Sequence, residues 1–331
     1  MQTPSSQSPG TPTNTPKPHK RRALDATAFI LAIVCCFIWG LQQVAIKGTG
    51  GDISPLLQVS IRTVFALILT ILAQVFYFKE KWNPDVRWFR GLLIGFLYAG
   101  EFYFVAEGLR LGPSSHISVL LYTAPLFAAV GLSLAIPEER LKAIQWVGIF
   151  AAFGGVAFSI LYPALTAHES ALSSTWLLGD IFGVLGGLSW AFTTLAIRTT
   201  PMSNAAPTQM LFWQLLGGLI FLVLGTVVSG QTHFEWTFWS GINLIFQSAI
   251  VSFASYLAWC WMLRHYLANH LGVLSFMTPI FGMLLSVLVL GETLQGAFLF
   301  GAFLVFVGLI LVQLDIFRRF LRQLFNARGS R

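Results

Sequence analysis

From Ala26 to Ile46 the chain runs through 21 residues without a single charged side chain, and uncharged stretches of similar length follow one another almost to its end. A helix needs about 20 apolar residues to cross a hydrocarbon core of about 30 Å. Asp, Glu, Lys and Arg together make up 10% of the 331 residues, against about 25% in a soluble domain. With 56% hydrophobic residues, 30 Phe and 11 Trp, the chain lacks the polar surface to cover a globule in water. A soluble fold is excluded, and ten crossings leave room only for short connectors.

Breaks at charged residues, Pro and Gly predict spanning helices near 26–47, 54–78, 88–110, 113–136, 143–162, 177–198, 207–229, 238–263, 269–290 and 294–315. The fold class is therefore an all-α polytopic membrane protein. Residues 1–25 read as a disordered basic tail, rich in Pro, Ser and Thr and ending in Lys17, Lys20, Arg21 and Arg22; residues 316–331 read as a second basic tail. The first apolar run is too long for the h-region of a signal peptide, and no small-x-small site directly follows it.

With ten spans and the N-terminus inside, seventeen Lys and Arg fall on the inner face. Only Lys47 and Arg110 fall outside, and Arg62 lies within the second span. Positive charge is retained on the cytoplasmic side, so both termini are expected there, in a plasma membrane or, for a prokaryote, the cell inner membrane. The net charge of +7 is spread between spans and forms no nucleic-acid surface. Cys35, Cys36 and Cys260 all lie in apolar segments without a Cys-x-x-Cys pair, and are read as packing residues. No metal and no cofactor is expected.

The chain also repeats itself. At an offset of 151, Trp39 to Lys47 lies over Trp190 to Arg198. At 152, Pro55, Arg62 and Leu67 meet Pro207, Gln214 and Leu219. At 154, Leu109, Arg110, His116, Pro125 and Glu138 meet identical residues at 263, 264, 270, 279 and 292. Five spans per repeat is odd, so residues 26–162 and 176–315 form two five-helix halves that cross the membrane in opposite senses. Inverted repeats place a substrate site near the midplane, the arrangement of carriers that work by alternating access.

On these residues the chain resembles the drug/metabolite transporter (DMT) superfamily, in particular its ten-helix EamA-type members. The carriers of the resemblance are Trp39-Gly40, Arg62, the run from Ala106 to Ser115 leading to Pro125, and Pro137 to Leu141. In the second half they are Gly179-Asp180, Ser189 to Ala191, Pro279, Leu290 to Leu294 and Gly301-Ala302 with Gly308. The resemblance implies export or exchange of small organic solutes such as amino acids and other metabolites. Its acidic residues after spans four and nine, Glu138 and Glu292, are expected to cap the N–H groups of the next helix. Glu101 and Glu107 stand where relatives are expected to carry mostly aromatic or small residues, so the resemblance assigns them no role.

An ionisable residue at membrane depth is costly unless paired or wetted, which makes each one a functional candidate. Glu101 precedes Gly112 by eleven residues, about 16 Å at 1.5 Å per residue, and so lies near the midplane. It either hydrogen-bonds to a neighbouring helix or faces a cavity, where it would titrate or meet a substrate amine. Tyr98 shares its face. Glu107 and Arg62 lie at similar depth and are expected to form a buried pair or a substrate gate. The cavity is expected to draw on Trp39, Gln42, Gln43, Tyr98, Glu101, Tyr122, Gln214, Ser255, Tyr256 and Trp259. His116 and His270, at the starts of spans, are read as helix-terminal hydrogen-bonding groups.

No Walker A sequence, HExxH or GxSxG occurs, so neither an ATP-driven pump nor an enzyme is expected. The reading is a secondary transporter of small organic metabolites, with the lipid bilayer and one small-molecule substrate as partners. It acts as a monomer or homodimer, and the coupling ion, a proton included, is left open. A ligand-sensing or scaffolding membrane protein without transport is the alternative.

Overall fold

The computed structural model describes residues 25–135, 140–166, 174–266, 271, 274–312 and 314. Among these the regular structure is helical, with one isolated antiparallel bridge between Ile53 and Phe234. In chain order the helices are α1 (Ala26–Gly48), α2 (Pro55–Ala73), α3 (Trp88–Leu111), α4 (Ser114–Leu121), α5 (Ala124–Ala135) and α6 (Ala143–Thr166). The second half supplies α7 (Ser174–Arg198), α8 (Pro207–Val228), α9 (Phe238–Ile245), α10 (Tyr256–His265), α11 (Met277–Leu290) and α12 (Gly296–Val312). Eight segments are long and apolar enough to cross a membrane, and α11 and α12 are shorter apolar helices of the same kind. The molecule is thus an all-α polytopic membrane protein on the ten-helix inverted-repeat plan.

Local chemistry sets the ends. Asp25 accepts from the Ala28 N–H at 2.8 Å and so caps α1; the predicted first tail therefore gives up its last residue to the helix. Pro55 and Pro207 open α2 and α8 in the first turn, where a missing N–H costs nothing. Glu138, His270 and the two tails lie outside the described residues, Asp25 apart.

Two predicted spans depart from a regular α-helix. The fourth breaks at Tyr122 and Thr123, whose N–H groups turn back to Val119 O and Leu120 O. Pro125 brings no N–H to continue the α ladder from Leu121 O, and this freed carbonyl faces Gly187 of α7, where a Cβ would sit 2.9 Å from it. The eighth span passes from α9 through a π-helical stretch, Phe246–Ser255, into α10. A second π turn, Gln74–Phe78, ends α2. Such departures from the α ladder recur at functional sites.

The halves pack in matched sets. Span one (α1) lies against span nine (α11), as span six (α7) lies against span four (α4 and α5). The fifth and tenth spans, α6 and α12, pair with each other. Lipid offers no hydrophobic drive between helices, so close backbone approach must hold them. A Cβ on Gly155 of α6 would stand 2.6 Å from Gly301 O of α12, and one on Gly40 of α1 would stand 2.7 Å from Gly282 N of α11.

Candidate functional site

Between the halves lies a cavity of about 420 Å³, within the range of small-molecule sites. Nine of the residues expected from sequence line it: Trp39, Gln42 and Gln43 from α1, Tyr98 and Glu101 from α3, Tyr122 from the α4–α5 break, Gln214 from α8, and Tyr256 and Trp259 from α10. Ser255 does not reach the lining. It is buried, donates to Val251 O at 2.6 Å and accepts from Trp39 Nε1 at 2.9 Å. Its role is to hold the indole that does line the cavity.

The aromatic rings form a box. Trp39 meets Tyr256 and Trp259 edge to face, with centroids 6.0 and 5.0 Å apart, and Tyr122 meets Trp190 at 5.3 Å. Such contacts add about 0.5–1.5 kcal/mol each beyond burial. Within this box Glu101 is half-buried, and among the described residues its carboxylate has no hydrogen-bond or ion-pair partner. The cation whose field reaches it is Arg62.

Sequence reasoning missed Leu121, Trp190, Thr193, Thr194, Ile197, Arg198, Met210, Leu211, Ser275 and Thr278 on the wall. The signal for three of them was present. The repeat that lays Trp39 over Trp190 also lays Gln42 and Gln43 over Thr193 and Thr194, and the structure brings both pairs to one cavity. Arg198, at the end of α7, is exposed, so the wall runs from Trp39 and Glu101 out to that surface.

The opposite end is stitched shut. Gln58 donates to Ile46 O and Ile53 O at 3.1 and 2.7 Å, Asn243 donates to Gln58 Oε1 at 2.7 Å, and Thr237 donates to Asp52 at 2.6 Å. Lys47 donates to Leu109 O and Gly112 O, at 2.9 and 2.6 Å, closing the C-terminus of α3. Arg62, fully buried, gives its Nη1 to Gln42 Oε1 at 2.9 Å and Gln247 Oε1 at 2.8 Å, and its guanidinium lies 4.3 Å from the Phe102 ring centre. Gln247 sits in the π-helical stretch and also donates to Gln42 O at 2.9 Å. One bridge thus ties α1, α2 and the eighth span together.

The expected pairing of Arg62 with Glu107 does not occur. Glu107 takes Arg110, one turn along its own helix, through Nε at 2.9 Å and Nη2 at 2.8 Å, and also accepts from Gln231 Nε2. The i,i+3 spacing supplies a partner without a second helix. Similar depth fixed the level of the two residues but not the side of the helix from which each projects.

Glu292 is a cap, as expected in kind, but of α4 in the other half. Its oxygens accept from Ser114 N at 2.7 Å, Ser115 N at 3.0 Å and Ser115 Oγ at 2.7 Å. His116 does more than satisfy a helix end. Its Nδ1 lies 2.9 Å from Asp180 Oδ1 on α7, and its ring stacks on Phe298 at 3.8 Å. No group of metal-ligating side chains occurs among the described residues.

A bundle of membrane-crossing helices in two inverted halves, with a solute-sized cavity reaching one surface and closed toward the other, defines a polytopic membrane transporter. The EamA-like transporter family model matches residues 26–161 and 177–314. The chain belongs to that family, within the drug/metabolite transporter superfamily. It is 23% identical over 285 residues to an uncharacterised transporter, YoaV, of Bacillus subtilis, covering 85% of this chain and 95% of that one. It is 25% identical over 287 residues to a probable amino-acid metabolite efflux pump of Salmonella typhimurium, covering 84% and 92%. A solved crystal structure with 18% identity superimposes with a TM-score of 0.61, covering 87% of this chain and 98% of that one, which shows a shared fold.

Proposed function

We propose that the protein is a secondary transporter that exports or exchanges small organic metabolites, amino acids among them, across the cytoplasmic membrane by alternating access. The observation that carries the reading is the unpartnered Glu101 carboxylate in an aromatic cavity between the halves. A carboxylate at membrane depth is expensive without a partner, so one left open to a cavity suits a solute ammonium or an exchangeable proton. The cavity volume suits an amino-acid-sized solute, and a relative named as a probable amino-acid metabolite efflux pump supports that class.

The excess of basic residues on one face supports a topology with both termini in the cytoplasm. On that topology Arg198 lies at the cytoplasmic surface and the Arg62 bridge closes the outer side, so this conformation is open inward. The test is a metabolite uptake and efflux screen in proteoliposomes at two pH values. Saturable, counterflow-competent flux of an amino acid supports the reading. Binding without flux would make the protein a sensor.

A further inference from the structure

Arg62 is an unusual buried cation. Its Nη1 is held by Gln42 and Gln247, but Nε and Nη2 make no hydrogen bond of good geometry among the described residues. The Tyr98 hydroxyl lies beside Arg62 and Tyr256 and makes none of good geometry either. A buried donor without a partner costs stability, and a guanidinium carries that cost on two donors at once. The two free donors are not scattered: Nε–H and Nη2–H form one edge of the guanidinium plane, the parallel fork that receives a carboxylate in bidentate fashion. The tip is tied down and the fork is left over.

Arg62 is fully buried and does not itself line the cavity, but it donates to Gln42, which does. Its repeat counterpart, Gln214, is on the wall. In an inverted repeat the two halves exchange roles when the cavity changes the side to which it opens. The position that Gln214 holds in the second half is then the position Arg62 takes in the first. Glu101 lines the same space and has no partner of its own.

We infer that Arg62 is the receptor for a substrate carboxylate, its Nε–Nη2 fork and the Tyr98 hydroxyl binding the anion while Glu101 holds the ammonium of the same solute. The inference rests on the transport reading above and narrows its substrate class to zwitterions, α-amino acids with bulky apolar side chains. Charge balance supports this. Arg62 and Glu101 are one cation and one anion, so a zwitterion leaves that pair neutral, with Arg198 out at the exposed end of the wall, and Trp39, Trp190, Trp259 and Tyr122 offer rings to its side chain. Glu107 does not compete, because Arg110 and Gln231 occupy it.

Three probes with one side chain test the assignment: L-phenylalanine, phenethylamine, which lacks the carboxylate, and 3-phenylpropionate, which lacks the ammonium. Binding to the purified full-length chain is read as the ligand-induced rise in thermal midpoint, which does not depend on transport. The parental protein should bind L-phenylalanine on the order of tenfold or more tighter than either fragment. In Arg62→Gln, the residue already present at the repeat position, the advantage over phenethylamine should vanish through weaker binding of L-phenylalanine, while phenethylamine, relieved of a nearby cation, should bind no more weakly than to the parental protein. Tyr98→Phe, which removes only the hydroxyl, should lose severalfold affinity for L-phenylalanine and none for phenethylamine, and it keeps the test alive should Arg62→Gln fail to fold. Amino-acid binding with the carboxylate advantage intact in these variants overturns the Arg62 assignment alone. If no α-amino acid stabilises or is moved by the parental protein, the amino-acid reading falls and this site falls with it.

Discussion

Glu292→Ala should loosen the contact between the halves far more than its position at a helix end suggests. The carboxylate accepts two backbone N–H groups and one hydroxyl at the N-terminus of α4, at 2.7–3.0 Å, and the two serines it serves are fully buried. Hydrogen bonds to a charged group contribute about 1.5–3 kcal/mol each when isolated, and loss of an N-cap costs about 0.5–2 kcal/mol. The three bonds share one acceptor, and water can enter where the half-exposed carboxylate stood, so a loss of about 2–4 kcal/mol is expected for Ala. Gln keeps one acceptor oxygen and should lose about half of that. At roughly 2–4 °C per kcal/mol, the midpoint of Glu292→Ala in detergent should fall by about 4–16 °C, with Glu292→Gln between it and the parental protein. Fluorescence-detected size exclusion after graded heating reads this from unpurified material. A Glu292→Ala protein that melts with the parental one would refute the clamp.

Arg62 and Glu107 belong to separate networks, so their substitutions to Gln should add, with a coupling below about 0.5 kcal/mol in a double-mutant cycle; rescue of one by the other would restore the ion pair the structure lacks. Gly155→Leu should force α6 from α12 at the point where Gly301 O approaches, costing about 3 kcal/mol or more and most of the folded yield, whereas the same change at Gly154, which has nothing within 4 Å, should be tolerated. An introduced Ser170→Cys should react with an impermeant maleimide on intact cells; labelling only after permeabilisation would reverse the orientation derived from basic residues.

The helical plan was legible because lipid leaves few choices: uncharged runs of about 20 residues, interrupted by charge, Pro and Gly, had to be helices. The cavity was largely legible too, since polar residues in spans need either a partner or a cavity, and Gln42, Gln43, Tyr98 and Gln214 all reach the wall. What failed was direction around the helix. Arg62 and Glu107 share a depth, yet one turns toward Gln42 and Gln247 while the other finds Arg110 a turn away. Glu292 was assigned to the helix that follows it in sequence, but a cap acts in space, and the nearest free N–H groups belong to Ser114 and Ser115. The break at Tyr122 hides in an apolar run whose Pro125 marks it only in retrospect. Thr193 and Thr194 could have been found by carrying the repeat from Trp39 on to Gln42 and Gln43.

The role of Glu101 is the most direct test of the whole account. Counterflow of a transported amino acid into proteoliposomes should be measured at two pH values for the parental protein and for Glu101→Gln, beside the thermal midpoint of each. The variant should melt nearly with the parental protein, because the carboxylate makes no hydrogen bond to lose among the described residues. Its flux should nevertheless lose its pH dependence, if the carboxylate exchanges protons, or lose substrate affinity, if it holds the ammonium. Parental rate with the parental pH profile in Glu101→Gln would contradict the account, and the working group would then have to be sought among the uncharged residues of the wall.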